Sequence, residues 1–184
     1  MKASMRRLAL GSSVMAPVGA PIVFDTSVKG IQKARAARAS DAHEFDYLRD
    51  EVAARVVDRV CDMARTFPSA LDLYCGSGHI LRGLHAETNK PGVRSLAHAD
   101  IHPAVLDRAA NTSEAEAVSL GIDTSKRFVL REEDDVPPPI AEGSLDLVMS
   151  SCGLHWVNDL PGVLSRANRL LKPDGLFIGA MFGG

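Results

Sequence analysis

Asp72, Gly76, Gly78 and Asp100 are the residues whose types and spacing can do chemistry. Asp72 lies in a short apolar run with Ala70, Leu71 and Leu73, which reads as a buried strand, and two glycines follow almost at once. Glycine there lets the backbone turn sharply and approach a ligand where a side chain would collide. From His79 onward Ile80, Leu81 and Leu84 recur at helical spacing, so the loop ends on a helix N-terminus whose free N–H groups face the ligand. Asp100 closes a second apolar run, 93–99, about 20 residues past the glycines, the separation of an acid that binds ribose hydroxyls. Two glycines alone also occur in ordinary packing turns. Loop and acid together read as a nucleotide cradle.

The loop departs from a dinucleotide site. A pyrophosphate fingerprint carries a third glycine three residues after the second, and Leu81 stands there. No Gly-Lys-Ser or Gly-Lys-Thr ending exists, which excludes the P-loop pattern. A carboxylate at Asp72 instead suits a cationic ligand group, such as the ammonium of a methionine moiety.

The elements that must position these residues alternate. Tyr47, Leu48, Val52, Val56, Val60 and Met63 recur at the helical period, with Asp50 and Glu51 early and Arg65 late as the helix dipole favours. This helix reads as a layer over the mouth of the cradle. Before it, Lys29, Lys33, Arg35 and Arg38 read as a solvated helix face or a docking surface, the solvated face being the safer reading. Further on the pattern predicts a helix over 103–116, a strand over 127–131, a strand over 145–151 and a helix over 158–171. Lys172-Pro173-Asp174-Gly175 then separates that helix from a last strand, 176–182. Strands joined by crossover helices require a parallel sheet, so the predicted fold class is α/β, a Rossmann-like doubly wound parallel sheet. The domain reading is a leader over 1–21, a helical segment over 22–66 and the nucleotide-binding domain over 67–184.

Composition narrows the function classes. With 184 residues, 46% of them hydrophobic, and a net charge of -2, the chain can bury a substantial core and has no overall pull toward nucleic acid. Cys61, Cys75 and Cys152 lack metal or disulfide spacing, and Cys75 reads as a small packing residue. The first 21 residues carry Lys2, Arg6 and Arg7, interspersed serines and no acid, which is the composition of an organelle transit segment. No apolar run is long enough to span a membrane.

The phrases LDLYCGSG, HADI, EGSLDLVMSSCGLHWVNDLP and LLKPDGLFIGAMFGG, in that order, resemble the class I S-adenosylmethionine-dependent methyltransferases of the type 11 group. FDYLRDEVAARVVDRV, LHWVNDLP and KPDGLFIGAMFGG resemble more narrowly the mitochondrial complex I assembly factors with this fold. The resemblance implies S-adenosyl-L-methionine as cofactor, with Asp72, Gly76, Ser77 and Gly78 around its methionine and ribose and Asp100 with Ile101 at the ribose. It places Asp134, or its rival Asp135, beside the adenine and His155 with Trp156 on the substrate side. Tyr74 stands where most of the superfamily has glycine, so its side chain must turn from the ligand or narrow the site. The resembled fold also has two further strands after 176–182, so that strand is expected at an unprotected edge and the chain is read as an incomplete version of the fold.

What the resemblance implies about activity is a protein of the mitochondrial matrix, or the matrix face of the inner membrane, that hydroxylates an arginine of a complex I subunit. Methyl transfer to a small molecule, a carrier-bound acid or RNA is the alternative, and a noncatalytic assembly chaperone is the third reading. Amino methylation of bases is disfavoured, because Ser150-Ser151-Cys152-Gly153 replaces the Asn/Asp-Pro-Pro-aromatic motif. His98, Asp100 and His155 supply the residue types of a two-histidine, one-carboxylate iron site, but Asp100 is claimed by the ribose and His98 reads as an ordinary strand residue. No metal is therefore assigned.

Overall fold

Residues 22–87, 91–132, 134 and 140–183 are described by the structure, a computed structural model. The leader reading at 1–21 and the Asp135 reading lie outside them. Five strands form one parallel sheet: β1 (Ser69–Leu73), β2 (Ser95–Asp100), β3 (Arg127–Val129), β4 (Leu145–Ser151) and β5 (Leu171–Ala180), in the order β3-β2-β1-β4-β5. The chain winds outward from β1 through β3 and then returns to β1's other side at β4. Between β1 and β4 the winding reverses, and in such sheets ligands bind outside the carboxyl ends of the strands at that reversal.

Side chains alternate across the strands, so each face has its own core. Ala70, Leu96, Leu147 and Met149 pack against Val56, Val57 and Val60 of α2 (Tyr47–Cys61) and Ile80, Leu81 and Leu84 of α3 (His79–Ala86). On the other face Leu71, Leu73, Ala97 and Val148 meet Val163, Ala167 and Leu170 of α5 (Leu160–Leu170). Each fully buried large apolar side chain contributes about 1.5–3 kcal/mol, so these two layers dominate the stability of the sheet.

The helices start and stop where local chemistry dictates. Asp25 caps α1 (Thr26–Arg38) by accepting from Val28 N at 3.0 Å, and Asp159 caps α5 by accepting from Gly162 N at 3.0 Å. The helix predicted over 103–116 is α4 (Pro103–Leu120), one turn longer, because no breaker intervenes before Gly121, which takes the left-handed cap at φ 64°. The predicted helix at 158–171 starts later, since Asn158 is engaged elsewhere.

Two expectations are corrected. The Lys172-Pro173-Asp174-Gly175 segment is inside β5, as a bulge: Leu145 pairs with Leu171 and Leu147 with Leu176. It is held there by Arg65 Nη1, which donates to Asp174 O at 2.7 Å, and by Lys172 Nζ, 2.7 Å from Asp146 Oδ1. The layer over the mouth of the cradle is α1, whereas α2 is a packing helix on the sheet, with its Ala53, Val57 and Val60 fully buried. β5 is at the sheet edge, and its Leu176, Phe177 and Ile178 are half-buried. Among the described residues no helix is long and apolar enough to cross a membrane.

Candidate functional site

β1 and β2 end side by side, next to the reversal between β1 and β4, and the loop between β1 and α3 crosses the carboxyl ends of β1 and β2. Gly76 (φ 57°) and Gly78 (φ 81°) both take left-handed backbone, as the turn requires. At Gly78 a Cβ would come within 2.7 Å of Ser113 Oγ on α4, so the close approach of loop and helix also excludes a side chain. Tyr74, at φ 58°, makes the first bend; its side chain is 3% exposed and borders the cavity at the sheet's edge, so it shapes the site.

Asp100 is fully buried, and its carboxylate is fixed from three directions. Gly76 N donates to Oδ2 at 3.0 Å, Ile101 N donates to Oδ1 at 2.7 Å, and Lys33 Nζ of α1 lies 2.9 Å from Oδ1. The loop and the acid are thus one unit, as the paired sequence reading requires. The solvated-face reading of 29–38 is corrected at Lys33, which turns inward.

Asp72 is buried just as fully and has the opposite surroundings: neither carboxylate oxygen has a hydrogen-bond partner among the described residues. Burial, and after it the charge of Asp100, pushes its carboxyl well above the ordinary range. An unpaired buried acid is costly unless a ligand's donor reaches it. Cys75, 3% exposed, has its thiol pushed up by burial, as suits a packing residue.

Ser77 points its side chain behind the loop. Its Oγ donates to Asp46 Oδ2 at 3.2 Å and lies 3.0 Å from His79 Nε2, while His79 Nδ1 is 2.8 Å from Asp50 Oδ1. Arg82 Nη2 donates to Asp50 Oδ1 at 2.7 Å, and Arg82 Nη1 and Thr112 Oγ1 both donate to Ser77 O, at 2.6 and 2.8 Å. Arg108 Nη2 donates to Asp46 Oδ2 at 2.7 Å. Burial opposes ionisation of Asp50, but the hydrogen bonds from His79 and Arg82 hold its carboxyl below the usual range. The sequence reading missed this network; Asp50 carried only a helix-dipole signal there, and Asp46, Arg82 and Arg108 carried none.

A cavity of about 340 Å³ opens between α1 and the strand ends, lined by Lys33, Tyr74, Ile101, His102, Arg131, Glu132 and Trp156 among others. Ile101 is therefore in the cleft. Asp134 is exposed, and its Oδ2 accepts from Arg131 N at 2.8 Å, so Glu132 is the described acid of that cluster that lines the cavity. Glu132 Oε2 and Oε1 accept from Asn158 N and Nδ2, both at 2.6 Å, which ties the loop after β3 to the start of α5.

His155 and Trp156 follow β4 in a single 3-10 turn, Leu154–Trp156. Their rings lie 4.8 Å apart, and His155 also contacts the Phe182 ring at 5.0 Å. Burial, followed by the charges of Lys33, Arg49 and Lys29, lowers the pKa of His155. His98 is 1% exposed within β2, with both ring nitrogens unpaired among the described residues and its pKa pushed down to about 4, by burial and then Arg127. No group of three or more His, Cys, Asp or Glu side chains that could hold a metal ion occurs among the described residues.

The arrangement fits S-adenosylmethionine. A glycine loop without room for side chains, an acid fixed at the end of β2 and an unpaired buried carboxylate on β1 match the ribose and the cationic methionine end of that molecule. When bound, S-adenosylmethionine would supply an electrophilic methyl group.

Comparisons agree with the geometry. Human mitochondrial arginine-hydroxylase NDUFAF5 is 44% identical over 162 residues, a match covering 88% of this chain and 42% of that protein. The malonyl-[acyl-carrier protein] O-methyltransferase of a Methylovorus species is 31% identical over 159 residues, covering 83% of this chain and 51% of that one. The chain thus spans about half or less of the length of these relatives. Among solved structures, an S-adenosylmethionine-dependent methyltransferase from Mesorhizobium loti superposes with a TM-score of 0.51 at 23% identity, over 72% of this chain and 55% of that one, and so shares the fold. Residues 71–179, from the middle of β1 nearly to the end of β5, match the methyltransferase domain, and the chain belongs to that family.

Proposed function

We propose that this chain binds S-adenosylmethionine through Asp72, Gly76, Gly78, Asp100 and Ile101, and acts in assembly of mitochondrial respiratory complex I by hydroxylating an arginine of one of its subunits. The observation that carries the cofactor half is Asp100, whose carboxylate at the end of β2 is fixed by Gly76 N of the glycine loop and by Ile101 N, beside the cavity that Ile101 lines. The likeness to the human arginine-hydroxylase, which continues beyond the methyltransferase domain into α1 and α2, supports the substrate half. In this reading Asp100 holds the ribose, Asp72 faces the methionine ammonium, and Glu132 or Asp134 stands beside the adenine. His155 and Trp156 face the acceptor, and the protein works in the matrix or on the matrix face of the inner membrane.

The relative that methylates a malonyl carrier protein supports a second reading, methyl transfer to a carrier-bound acid. One experiment separates them. Hydroxylation takes its oxygen atom from dioxygen, the second oxygen leaving as water with two electrons from an added reductant. The protein is therefore incubated with S-adenosylmethionine, dioxygen and a reductant and either mitochondrial complex I subunits or malonyl carrier protein, and the products are weighed by mass spectrometry. Gain of one oxygen on a subunit arginine supports the first reading, and gain of a methyl on the malonyl group supports the second. For the cofactor, Asp100→Ala is expected to weaken binding by about 1.5–3 kcal/mol in calorimetry; equal affinity in variant and parent would remove Asp100 from the ribose role.

A further inference from the structure

Lys29 of α1 reaches over the substrate side of the cleft. Its Nζ lies 3.5 Å from the centre of the Trp156 ring and 5.3 Å from the centre of the Phe24 ring, and those rings meet edge to face at 5.4 Å. A cation against an indole face is attracted by the ring quadrupole.

The rings are held without the lysine. Asn158 Oδ1 accepts from Val23 N and Phe24 N, both at 2.8 Å, and Asn158 Nδ2 donates to Phe24 O at 3.0 Å. Glu132 in turn fixes Asn158, and the backbone carbonyl of Glu132 accepts from Arg166 Nη2. Trp156 is backed by the His155 ring, itself against Phe182. Two braced aromatic rings with a lysine tip against them form a built cation site filled from within.

Its place matters. Trp156 borders the cavity that reaches Ile101 and also a smaller crevice that reaches Gly76 and Ser77, and it remains 38% exposed. An acceptor arriving from solvent at the glycine loop passes this ring.

We propose that the Phe24–Trp156 pair is the subsite that takes the cationic side chain of the acceptor, and that Lys29 is a resident stand-in which the acceptor displaces. For the acceptor's identity this rests on the arginine reading above. A guanidinium is planar, stacks on aromatic faces and is more weakly hydrated than an ammonium, so arginine replaces the lysine at a gain. Exchange is one for one, because with Lys29 still over the indole a second cation on that face would be repelled.

The chain has a single tryptophan, so its fluorescence reads this subsite directly. N-acetylarginine methylamide and its neutral isostere N-acetylcitrulline methylamide are titrated into the full chain and into Lys29→Met and Phe24→Leu variants. The arginine probe is expected to change Trp156 emission saturably and the citrulline probe not. Lys29→Met should tighten the arginine probe about threefold to tenfold, and Phe24→Leu should loosen it by a similar factor. Equal response to both probes, or an arginine affinity unchanged or weakened in Lys29→Met, would overturn the proposal. Calorimetry with S-adenosylhomocysteine runs alongside: loss of that binding in the parent sinks the cofactor reading, while the arginine titration reports the subsite by itself.

Discussion

The glycine loop separates two polar regions that obey opposite rules. Behind it Asp46, Asp50, Ser77, His79, Arg82, Arg108 and Thr112 interlock, and apart from Asp46 Oδ1 their buried side-chain oxygens and nitrogens are paired. On the sheet beneath it Asp72, His98 and Ser151 share, by register and alternation, the face that packs against α2 and α3, and none of their buried polar atoms has a partner among the described residues. Paired buried groups fix a shape, whereas unpaired ones carry a desolvation cost that only a ligand can relieve. The rear network therefore holds the loop, and the unpaired set is where an incoming donor or acceptor would gain most.

The largest test strikes the rear. Arg82→Met removes the guanidinium from Asp50 and from the Ser77 carbonyl, and urea unfolding should show a loss of about 3 kcal/mol. A change within experimental error would mean that the network does not hold the loop.

Acid should find the unpaired set. The folded chain keeps His98 neutral down to about pH 4, while the unfolded chain takes up the proton near 6.5. Its contribution is complete above about pH 6.5 and is lost as the pH falls toward 4, roughly 3 kcal/mol in all. His98→Leu is expected to flatten melting temperature against pH in that window; an undiminished slope would assign acid sensitivity to other groups.

Asp72→Asn sharpens the contrast between binding and stability. Neutralising an unpaired buried acid should leave the melting temperature unchanged or raised, while cofactor affinity falls about tenfold or more. A variant that loses stability but keeps its affinity would place Asp72 among the structural groups. The smallest effect is expected at Lys33→Met, which frees Asp100 of its internal partner and should tighten cofactor binding by less than about 1 kcal/mol. Weaker binding would show that Lys33 assists the ligand instead of competing with it.

Much of the cradle was legible because its signals are local. An apolar run, two glycines and an acid one strand later each follow from backbone geometry, and β1, β2, β4 and the start of α3 lie where those residues put them. The rear network was illegible, because Asp50, Arg82 and Arg108 come from three different helices and nothing in their spacing marks their meeting. Lys33 reads as surface for the same reason: α1 carries apolar and basic residues with no sharp face, and only its docking against α4 brings Lys33 to Asp100 and Lys29 to Trp156. The acidic cluster after β3 was located, but which acid lines the cavity depends on Asn158, some 25 residues on and across the cleft.

The sequence by itself determined the alternation of elements, the parallel sheet and the loop with its two acids, since hydrophobic period and glycine conformation act over a few residues. Tertiary structure alone decided that Asp72 stays unpaired while Asp100 gains three partners, although both are fully buried aspartates at strand ends. The difference comes from what lies across from each: two backbone N–H groups and a helix-borne lysine converge on Asp100, and no donor converges on Asp72.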